Sequence, residues 1–415
     1  MDLKFIQGDP DLAKEIIRRR RENVDIDEIL ALNEKRRKIV QERDEKRRDL
    51  NLLSEEIGKK VSRGEEVIRE REKAKEISEE IKRLEEELAF LEKEIEGLIA
   101  LCPNLILPEV GDEEKIVKEW GKKPEFDFQP LPHYEIGEKL KILDLKRSAK
   151  IAGSRFILFQ GKGAILERAL INFCLNYHIE KHNYLEISPP YLNKEECFFA
   201  AGDLPKLAGD MYKIEGEPFY LIPTAEVPLV NLHREEVLRE EELPKYYCAY
   251  TACFRQEAGS YGKDVRGIIR VHQFDKVELV KFTKPEDSGE ELEKMVKDAE
   301  DILQELGLPY RIKLLAAWDM AFQSAKTYDI EVWASGMRDW LEVSSLSNCI
   351  NFQAKRTKTR LRRRDGRLEY VHILNGSGLA FPRLFIALIE NYQTKEGKVL
   401  IPQPLQSYTG FSAIE

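Results

Sequence analysis

The sequence predicts an α+β protein in which an N-terminal antiparallel two-helix coiled-coil hairpin precedes an antiparallel sheet flanked by helices. Two observations carry this prediction. Apolar residues in 32–98 recur at coiled-coil spacing with one central break, whereas the later chain mixes helical and alternating strand patterns without regular βαβ alternation. A chain of 415 residues suggests two or three domains. We expect a helical domain at 1–110, a linker at 111–132 and an α+β domain at 133–415.

The hairpin is predicted at about residues 27–99. On its second helix the apolar residues follow one another at alternating spacings of three and four, which is the seam of a coiled coil. These residues are Ala74, Ile77, Ile81, Leu84, Leu88, Leu91, Ile95 and Leu98. The break at 61–64 is short, so the two helices should pair antiparallel within one chain. At a rise of 1.5 Å per residue, the hairpin should be roughly 50 Å long.

Basic residues crowd the first helix of the hairpin, and Arg36, Arg43 and Lys46 interrupt its apolar seam. The second helix is mainly acidic outside its seam. A one-sided basic ridge suits a phosphate backbone. A solvated face, a spacer or a dimerisation rod is the alternative, because charge runs are commonly just exposed surface.

Composition limits the classes of protein that remain. A formal net charge of −9 argues against a chain that coats nucleic acid through bulk positive charge, so any such site must be a local patch. No stretch approaches ~18 consecutive apolar residues, and the start lacks a signal-peptide pattern. We therefore expect a cytoplasmic protein with no membrane association. Six cysteines without a CxxC pair predict buried free thiols.

Two strand-like segments of the later chain carry residues suited to a nucleotide. Alternation puts Arg255 and Glu257 on one face of the first segment, and Phe274 and Glu278 on one face of the second. An arginine fork binds phosphate or carboxylate, a ring stacks on a base, and a glutamate accepts from an amino group. A surface hairpin with cross-strand ion pairs is the alternative. A loop that includes Gly259 and Gly262 joins the two segments.

A second glycine-containing segment, residues 375–383, leads into an apolar helix running to about Tyr392. Gly376 and Gly378 would let the backbone approach a ligand closely, and the helix start would favour an anion near Arg383. An ordinary glycine-rich turn before a buried helix is the alternative. The sequence contains neither GxxxxGK[ST] nor GxGxxG, so a nucleotide must bind in another way.

Three segments resemble the signature motifs of the class II aminoacyl-tRNA synthetases. Residues 186–192 are similar to the first motif, which forms a dimer interface, residues 254–257 to the second, and residues 378–383 to the third. Within that class, residues 224–226, 342–345 and 374–378, together with the hairpin, resemble the bacterial type of seryl-tRNA synthetase. The resemblance covers essentially the whole chain. The zinc-dependent archaeal variant is disfavoured, because its cysteine-based metal site has no counterpart.

The resemblance implies ATP-dependent attachment of serine to tRNA(Ser), and also to tRNA(Sec), through a seryl-adenylate in a homodimer. It implies that Arg255 and Arg383 are catalytic. With a tRNA as the ligand of the hairpin, the basic interruptions Arg36, Arg43 and Lys46 are the expected tRNA contacts. The implied serine-binding residues are Thr224, Ala225, Glu226, Arg255, Glu278, Asn375 and Ser377. The implied ATP-binding residues are Arg255, Gln256, Glu257, Val271, Phe274, Glu342, Val343, Ser344, Ser345 and Arg383.

The resemblance also implies Mg²⁺ as a cofactor, with Glu342 and Ser345 as its ligands. Simple strand alternation does not put these two residues on one face, so a bend or bulge should lie between them. His178 and His182 form a weaker metal candidate that lacks a third ligand, and a structural role is the usual alternative. The basic run at 355–364 either guides RNA or is an exposed hairpin.

Two other functions remain open on the sequence. A paralogue of the synthetases could activate a small amino acid and load a carrier protein, although such paralogues resemble the catalytic domain alone. A non-enzymatic RNA-binding or scaffolding protein could be built on an inactive synthetase. The intact Arg255, Glu257, Glu342 and Arg383 argue against that second alternative.

Overall fold

The computed structural model describes residues 1–258 and 266–415. Gly259 and Gly262 of the predicted loop lie outside these residues. The chain divides into two compact units, Met1–Pro103 and Asn104–Glu415. The helices of the first unit are α1 (Leu3–Gly8), α2 (Pro10–Arg19), α3 (Ile26–Ser62) and α4 (Ile68–Ala100).

The second unit alternates helices and strands. In chain order they are β1 (Lys115–Trp120), α5 (His133–Lys139), α6 (Leu145–Ala152), α7 (Lys162–His182), β2 (Leu185–Glu186), β3 (Leu192–Lys194), α8 (Glu195–Ala201), β4 (Phe219–Leu221), α9 (Glu226–Val230), β5 (Val237–Arg239), β6 (Lys245–Phe254), β7 (Gln273–Thr283), α10 (Ser288–Glu305), β8 (Tyr310–Leu314), β9 (Lys326–Ala334), β10 (Asp339–Asn348), α11 (Phe352–Thr357), β11 (Arg360–Arg362), β12 (Leu368–Tyr370), β13 (His372–Ala380), α12 (Phe381–Asn391), β14 (Val399–Leu400), α13 (Gln403–Thr409) and β15 (Ala413–Ile414).

Helices α3 and α4 form the predicted coiled-coil hairpin. The Asp25 carboxylate caps α3 by accepting from two backbone N–H groups of its first turn. At the far end Gly64 adopts φ +74°, which a glycine does without strain, and the chain turns back. Ile39 packs with Leu88 and Leu91 between the helices. The 37 residues of α3 span about 56 Å at the standard rise.

The basic interruptions of the α3 seam pair with acidic side chains. Arg36 lies 2.8 Å from the Glu92 carboxylate on α4, and Lys46 lies 2.5 Å from that of Glu80. Arg43 instead pairs with the neighbouring Asp44, at 2.7 Å. Long basic side chains cover apolar surface with their stems while their charged ends stay near water. The interrupted seam therefore still closes against α4.

The second unit is built on an eight-stranded sheet of order β1-β8-β9-β10-β13-β7-β6-β2. Neighbouring strands are antiparallel except for the short β2, which pairs parallel with β6 at one edge. Apolar residues of α7, α10 and α12 share one core cluster with residues of the sheet. The predicted antiparallel sheet flanked by helices is confirmed.

Strand β7 shows how the sheet divides its side chains between two faces. Val277 and Leu279 belong to the core cluster that includes the three helices. Lys276 and Glu278 alternate with them and line a cavity on the opposite face. The period of two therefore positions charged groups in a pocket above an apolar core.

Two segments differ from the sequence-based expectation. Residues 111–132, assigned to a linker, contain β1, which pairs with β8; its mixed charged and apolar residues suit an edge strand. The alternative of an ordinary glycine-rich turn at Gly376 and Gly378 is wrong, because both lie within β13. A Cβ at Gly376 would come within 2.8 Å of the Leu346 backbone, and one at Gly378 within 2.8 Å of the His178 ring. Close packing inside the protein therefore requires these glycines.

Candidate active site

Two cavities adjoin on the face of the sheet opposite α7 and α10, and the first turn of α12 lines one of them. One is about 190 Å³ and the other about 450 Å³. Both are lined by Arg255, Lys276, Glu342 and Ser377. These residues come from β7, β10, β13 and the segment after β6, so strand pairing between distant parts of the chain creates the junction. A ligand in one cavity can therefore contact a ligand in the other.

The smaller cavity joins an aromatic ring, two guanidinium groups and a carboxylate. The centre of the Arg255 guanidinium lies 5.1 Å from the centroid of the Phe274 ring. Glu257 adopts φ +51°, and its carboxylate accepts from Arg270 at 3.2 Å. Arg383, in the first turn of α12, donates to the backbone carbonyl of Glu342 at 2.8 Å. Flat rings and fixed cations of this kind suit a base carrying phosphates.

The larger cavity is lined by buried carboxyl groups held by polar neighbours. The Thr224 hydroxyl donates to Glu278 at 2.8 Å, and Lys276 forms an ion pair with the same carboxylate. Glu226 accepts from the side-chain amides of Gln323 and Gln353, at 3.1 and 2.7 Å. Burial, together with the carboxylates of Asp203 and Glu278, raises the pKa of Glu226 to about 8. A small polar ligand could satisfy such a cavity through several hydrogen bonds.

Asn375 and Ser377 complete the larger cavity from β13. The Asn375 amide donates to the Gln353 side-chain oxygen at 3.1 Å, which fixes the orientation of both amides. Ser377 pairs in register with Glu278 of β7, where a bulge follows before Leu379. The structure therefore brings together Thr224, Glu226 and Glu278 with these two residues in one cavity.

Glu342 and Ser345 both line the larger cavity. A register shift in the pairing with β9 falls between Glu342 and Ser344, so the predicted bulge is confirmed. Ser345 lies opposite Asp329, whose Oδ1 is buried and has no hydrogen-bond partner among the described residues. Burial and the Glu342 carboxylate raise the pKa of Asp329 to about 8. This oxygen-rich set suits a hard cation such as Mg²⁺.

Four of the predicted site residues do not line either cavity but pack or hydrogen-bond beside them. Ala225 and Val343 are buried in apolar clusters. The Gln256 side chain donates to the Met211 carbonyl at 2.7 Å, and the Ser344 hydroxyl donates to the Ser377 carbonyl at 2.5 Å. Val271, also buried, does line the smaller cavity.

Several cavity residues were missed from the sequence. Lys276 shares the strand parity of Phe274 and Glu278, so the same alternation could have found it. Asp203 and Gln323 line the larger cavity from irregular segments, where no periodicity marks a side chain as facing a site. Long-range packing alone brings them to the cavity.

The weaker metal candidate has its ring nitrogens engaged. His178 Nδ1 lies 3.1 Å from His182 Nδ1, and His178 Nε2 lies 3.2 Å from the Gly378 carbonyl. Burial lowers the pKa of His178 to about 3. Within residues 1–258 and 266–415, no group of three or more His, Cys, Asp or Glu side chains is arranged to hold a metal ion. The described cysteines are free thiols, mostly buried, as expected.

The basic run at 355–364 is partly engaged within the protein. Arg363 forms ion pairs with Glu240, Glu286 and Glu369. Arg356 stacks over the Phe352 ring at 4.2 Å. Arg360 and Arg362 are exposed on β11. A role of this run in guiding RNA stays a prediction, and it now rests on those exposed side chains.

The fold and the paired cavities define the chain as a class II aminoacyl-tRNA synthetase, and the family model of the tRNA synthetase class II core domain (G, H, P, S and T) matches residues 211–392. The family model of the seryl-tRNA synthetase N-terminal domain matches residues 1–106. The chain belongs to the seryl-tRNA synthetase family of serine–tRNA ligases.

Individual relatives cover the chain from end to end. A serine–tRNA ligase of Caldanaerobacter subterraneus subsp. tengcongensis is 49% identical over 98% of this chain and 97% of its own length. The crystal structure of seryl-tRNA synthetase from Pyrococcus horikoshii complexed with ATP is similar at a TM-score of 0.93, with 36% identity, covering 100% of this chain and 99% of that one. The cytoplasmic serine–tRNA ligase of Naegleria fowleri in complex with AMP gives a TM-score of 0.86 and 30% identity, covering 99% and 97%. In the part of the chain that the structure describes, no helix is long and apolar enough to cross a membrane.

Proposed function

We propose that this chain activates serine with ATP and transfers the seryl group to tRNA(Ser). The observation that carries the proposal is the junction of the two cavities, one suited to a nucleotide and the other to a small polar ligand, at Arg255, Lys276, Glu342 and Ser377. The similar proteins support it, because their names state serine–tRNA ligase and a complex with ATP.

The first step is an in-line displacement at phosphorus. A carboxylate oxygen of serine attacks the α-phosphate of ATP, the bond to the β-phosphate oxygen breaks, and pyrophosphate leaves with the electron pair. Arg255 borders both cavities, so its guanidinium can hold the serine carboxylate and the α-phosphate at once. Positioning and charge stabilisation supply the catalysis, and no protein nucleophile is needed.

ATP would bind the smaller cavity through its base and its phosphates. Phe274 and Arg383 would hold the adenine between a ring and a guanidinium, and Glu257 would accept from the adenine amino group. Val271 lines the same cavity, and Gln256 anchors the preceding loop. The positive guanidinium of Arg383 would also attract the γ-phosphate.

Mg²⁺ would be held by the Glu342 carboxylate and the Ser345 hydroxyl together with phosphate oxygens of ATP. Two protein ligands fit this ion, which usually binds through one or two carboxylates and substrate phosphates. When bound, the ion neutralises phosphate charge. Val343 and Ser344 maintain the β10 backbone between these two ligands.

Serine would occupy the larger cavity, with its hydroxyl near Glu278 and Ser377. Thr224, Glu226 and Asn375 supply further polar contacts, and Ala225 maintains the backbone between the first two. Alanine is excluded because it would leave buried polar groups unpaired, which can cost a factor of roughly 10⁴ in specificity. Exclusion of threonine depends on the size of the cavity.

In the second step the terminal hydroxyl of the tRNA attacks the carbonyl carbon of the adenylate, and AMP leaves. The α3–α4 hairpin would select tRNA(Ser), and also tRNA(Sec), through its basic ridge. Arg36, Arg43 and Lys46 are half-buried and ion-paired, whereas Arg37 and Arg48 are exposed and form no ion pair among the described residues. We add these two residues to the proposed tRNA contacts.

A homodimer would form through the segment that resembles the first class II motif. β2 lies at the edge of the large sheet, and Leu185 and Leu192 are 60% and 46% exposed. Exposed apolar side chains next to an open sheet edge suit contact with a second protein surface.

Serine-dependent ATP–pyrophosphate exchange, followed by charging of total tRNA, tests the proposal. We expect exchange with serine and not with alanine, and then charging of tRNA. Exchange without charging of tRNA would favour the carrier-loading alternative. Absence of exchange would favour an inactive RNA-binding protein, and either result contradicts the proposed function.

A further inference from the structure

Asp203 has a fixed backbone and an unpartnered carboxylate oxygen. Its backbone N–H donates to the Phe198 carbonyl at 3.0 Å, and its carbonyl accepts from the Leu207 N–H at 2.7 Å. The residue is 7% exposed. Its Oδ2 is buried without a hydrogen-bond partner among the residues that the structure describes. A buried acceptor left without a donor is unfavourable, and more so when it is charged.

The unpartnered oxygen belongs to the larger cavity. Asp203 lines it together with Thr224, Glu226 and Glu278. Those two glutamates already accept hydrogen bonds from protein side chains, Glu278 from Thr224 and Glu226 from Gln353. Asp203 therefore retains acceptor capacity that a ligand in this cavity can use.

The surroundings of Asp203 favour a cationic donor. Burial raises the pKa of Asp203 to about 6, although Arg255 and Lys276 oppose that shift. These two cations favour the ionised form of the carboxylate despite its burial. An ionised carboxylate forms its strongest hydrogen bonds with charged donors. An amino acid brings such a donor in its α-ammonium group, next to the carboxylate that Arg255 would hold.

We propose that Asp203 receives the α-ammonium group of the amino-acid substrate. This inference rests on the proposed function, because it requires an amino acid in the larger cavity. Asp203 then acts in amino-acid binding, and ATP binding in the smaller cavity does not depend on it. With Asp203 in this role, the cavity would require a free amino group on its ligand in addition to the serine hydroxyl.

The test compares Asp203→Asn with the parent protein on two ligands. L-Serine carries the ammonium group, whereas L-glycerate has a hydroxyl in its place. We expect the substitution to weaken L-serine binding by roughly 10- to 100-fold in calorimetry, the range for a charged hydrogen bond. Binding of L-glycerate should change less than about threefold, and the KM for ATP in exchange should stay constant.

Glu300→Gln is the matched control. Glu300 is a carboxyl of α10 that is only 4% exposed and accepts from Tyr310, outside both cavities. We expect it to leave L-serine affinity unchanged. Equal losses for L-serine and L-glycerate in Asp203→Asn, or no loss for either, would overturn the inference. Absence of serine-dependent exchange in the parent would instead contradict the proposed function itself.

Discussion

The hairpin and the active-site cavities are both rich in charge, but they place it differently. On the hairpin, pairs such as Arg36–Glu92 lie at the surface, where an ion pair contributes only about 0–1 kcal/mol. In the larger cavity Asp203, Glu226 and Glu278 are buried close to one another, where like charges and desolvation oppose folding. This difference indicates that the buried carboxyl groups of the cavity are present to bind ligands. Each charged residue on the hairpin, in contrast, could be replaced without loss of the fold.

The largest effect should come from removing a cavity carboxylate. We expect Glu278→Ala to lower serine-dependent pyrophosphate exchange by roughly 10³- to 10⁴-fold, because the serine hydroxyl loses a buried partner. ATP should still bind, since Glu278 does not line the smaller cavity. Calorimetry with ATP and exchange assays with serine separate the two effects. Unchanged exchange would show that Glu278 does not contact serine, and that its buried charge does not serve this ligand.

The next effect concerns stability and its dependence on pH. The pKa of Glu226 is about 8 in the folded protein, above its ordinary 4.5, so the folded state keeps a proton that the unfolded chain releases. This contribution to stability is complete below pH 4.5 and is lost as the pH rises towards 8. Glu226→Gln, which stays neutral, should therefore raise the Tm at pH 8 by about 5 °C and by little at pH 5.

Differential scanning calorimetry of the Glu226→Gln variant between pH 5 and 8 measures this difference. If the Tm of the variant exceeds that of the parent by an amount that grows with pH, the cavity retains Glu226 at a cost in stability. A gap that narrows with rising pH would contradict it.

The smallest effect is expected on the hairpin. Replacing Arg37 and Arg48 together by Gln should lower kcat/KM for tRNA charging by about tenfold and reduce the salt dependence of tRNA binding. Exchange should not change. Lys82 and Lys93 on α4 are exposed and have the same separation of 11 residues, so their double replacement is the matched control. Equal losses in both double variants would show that bulk charge, rather than one ridge, determines binding.

The two regions also differ in how far the sequence could predict them. The hairpin follows from local periodicity, because seam residues such as Leu88 and Leu91 meet partners of the adjoining helix after one turn of the chain. Strand parity similarly put Glu278 on one face with Phe274. Parity, combined with the resemblance that makes Glu342 and Ser345 metal ligands, also required a bend or bulge between those two residues. These features depend on neighbours in sequence or on a simple alternation.

Other features depend on contacts that no local pattern records. Asp203 reaches the cavity from an irregular loop, and Gln353 of the short helix α11 donates to the cavity residue Glu226 from outside the lining. Gly376 and Gly378 resembled a turn, yet their lack of a side chain serves strand packing against Leu346 and His178. The segment 111–132 is rich in Pro, Gly and charged residues, which predicts a linker, yet the charged residues of β1 suit an exposed sheet edge as well as a loop.

The central claim is that serine activation resides in the second unit and RNA selection in the hairpin. Deleting residues 33–98 and assaying both half-reactions tests it most directly. We expect serine-dependent exchange to stay within about threefold of the parent, because the deletion removes no cavity residue. Charging of tRNA should fall by at least about 100-fold, because the phosphate contacts are lost. Charging that matches the parent, or exchange that is lost together with charging, would contradict the claim.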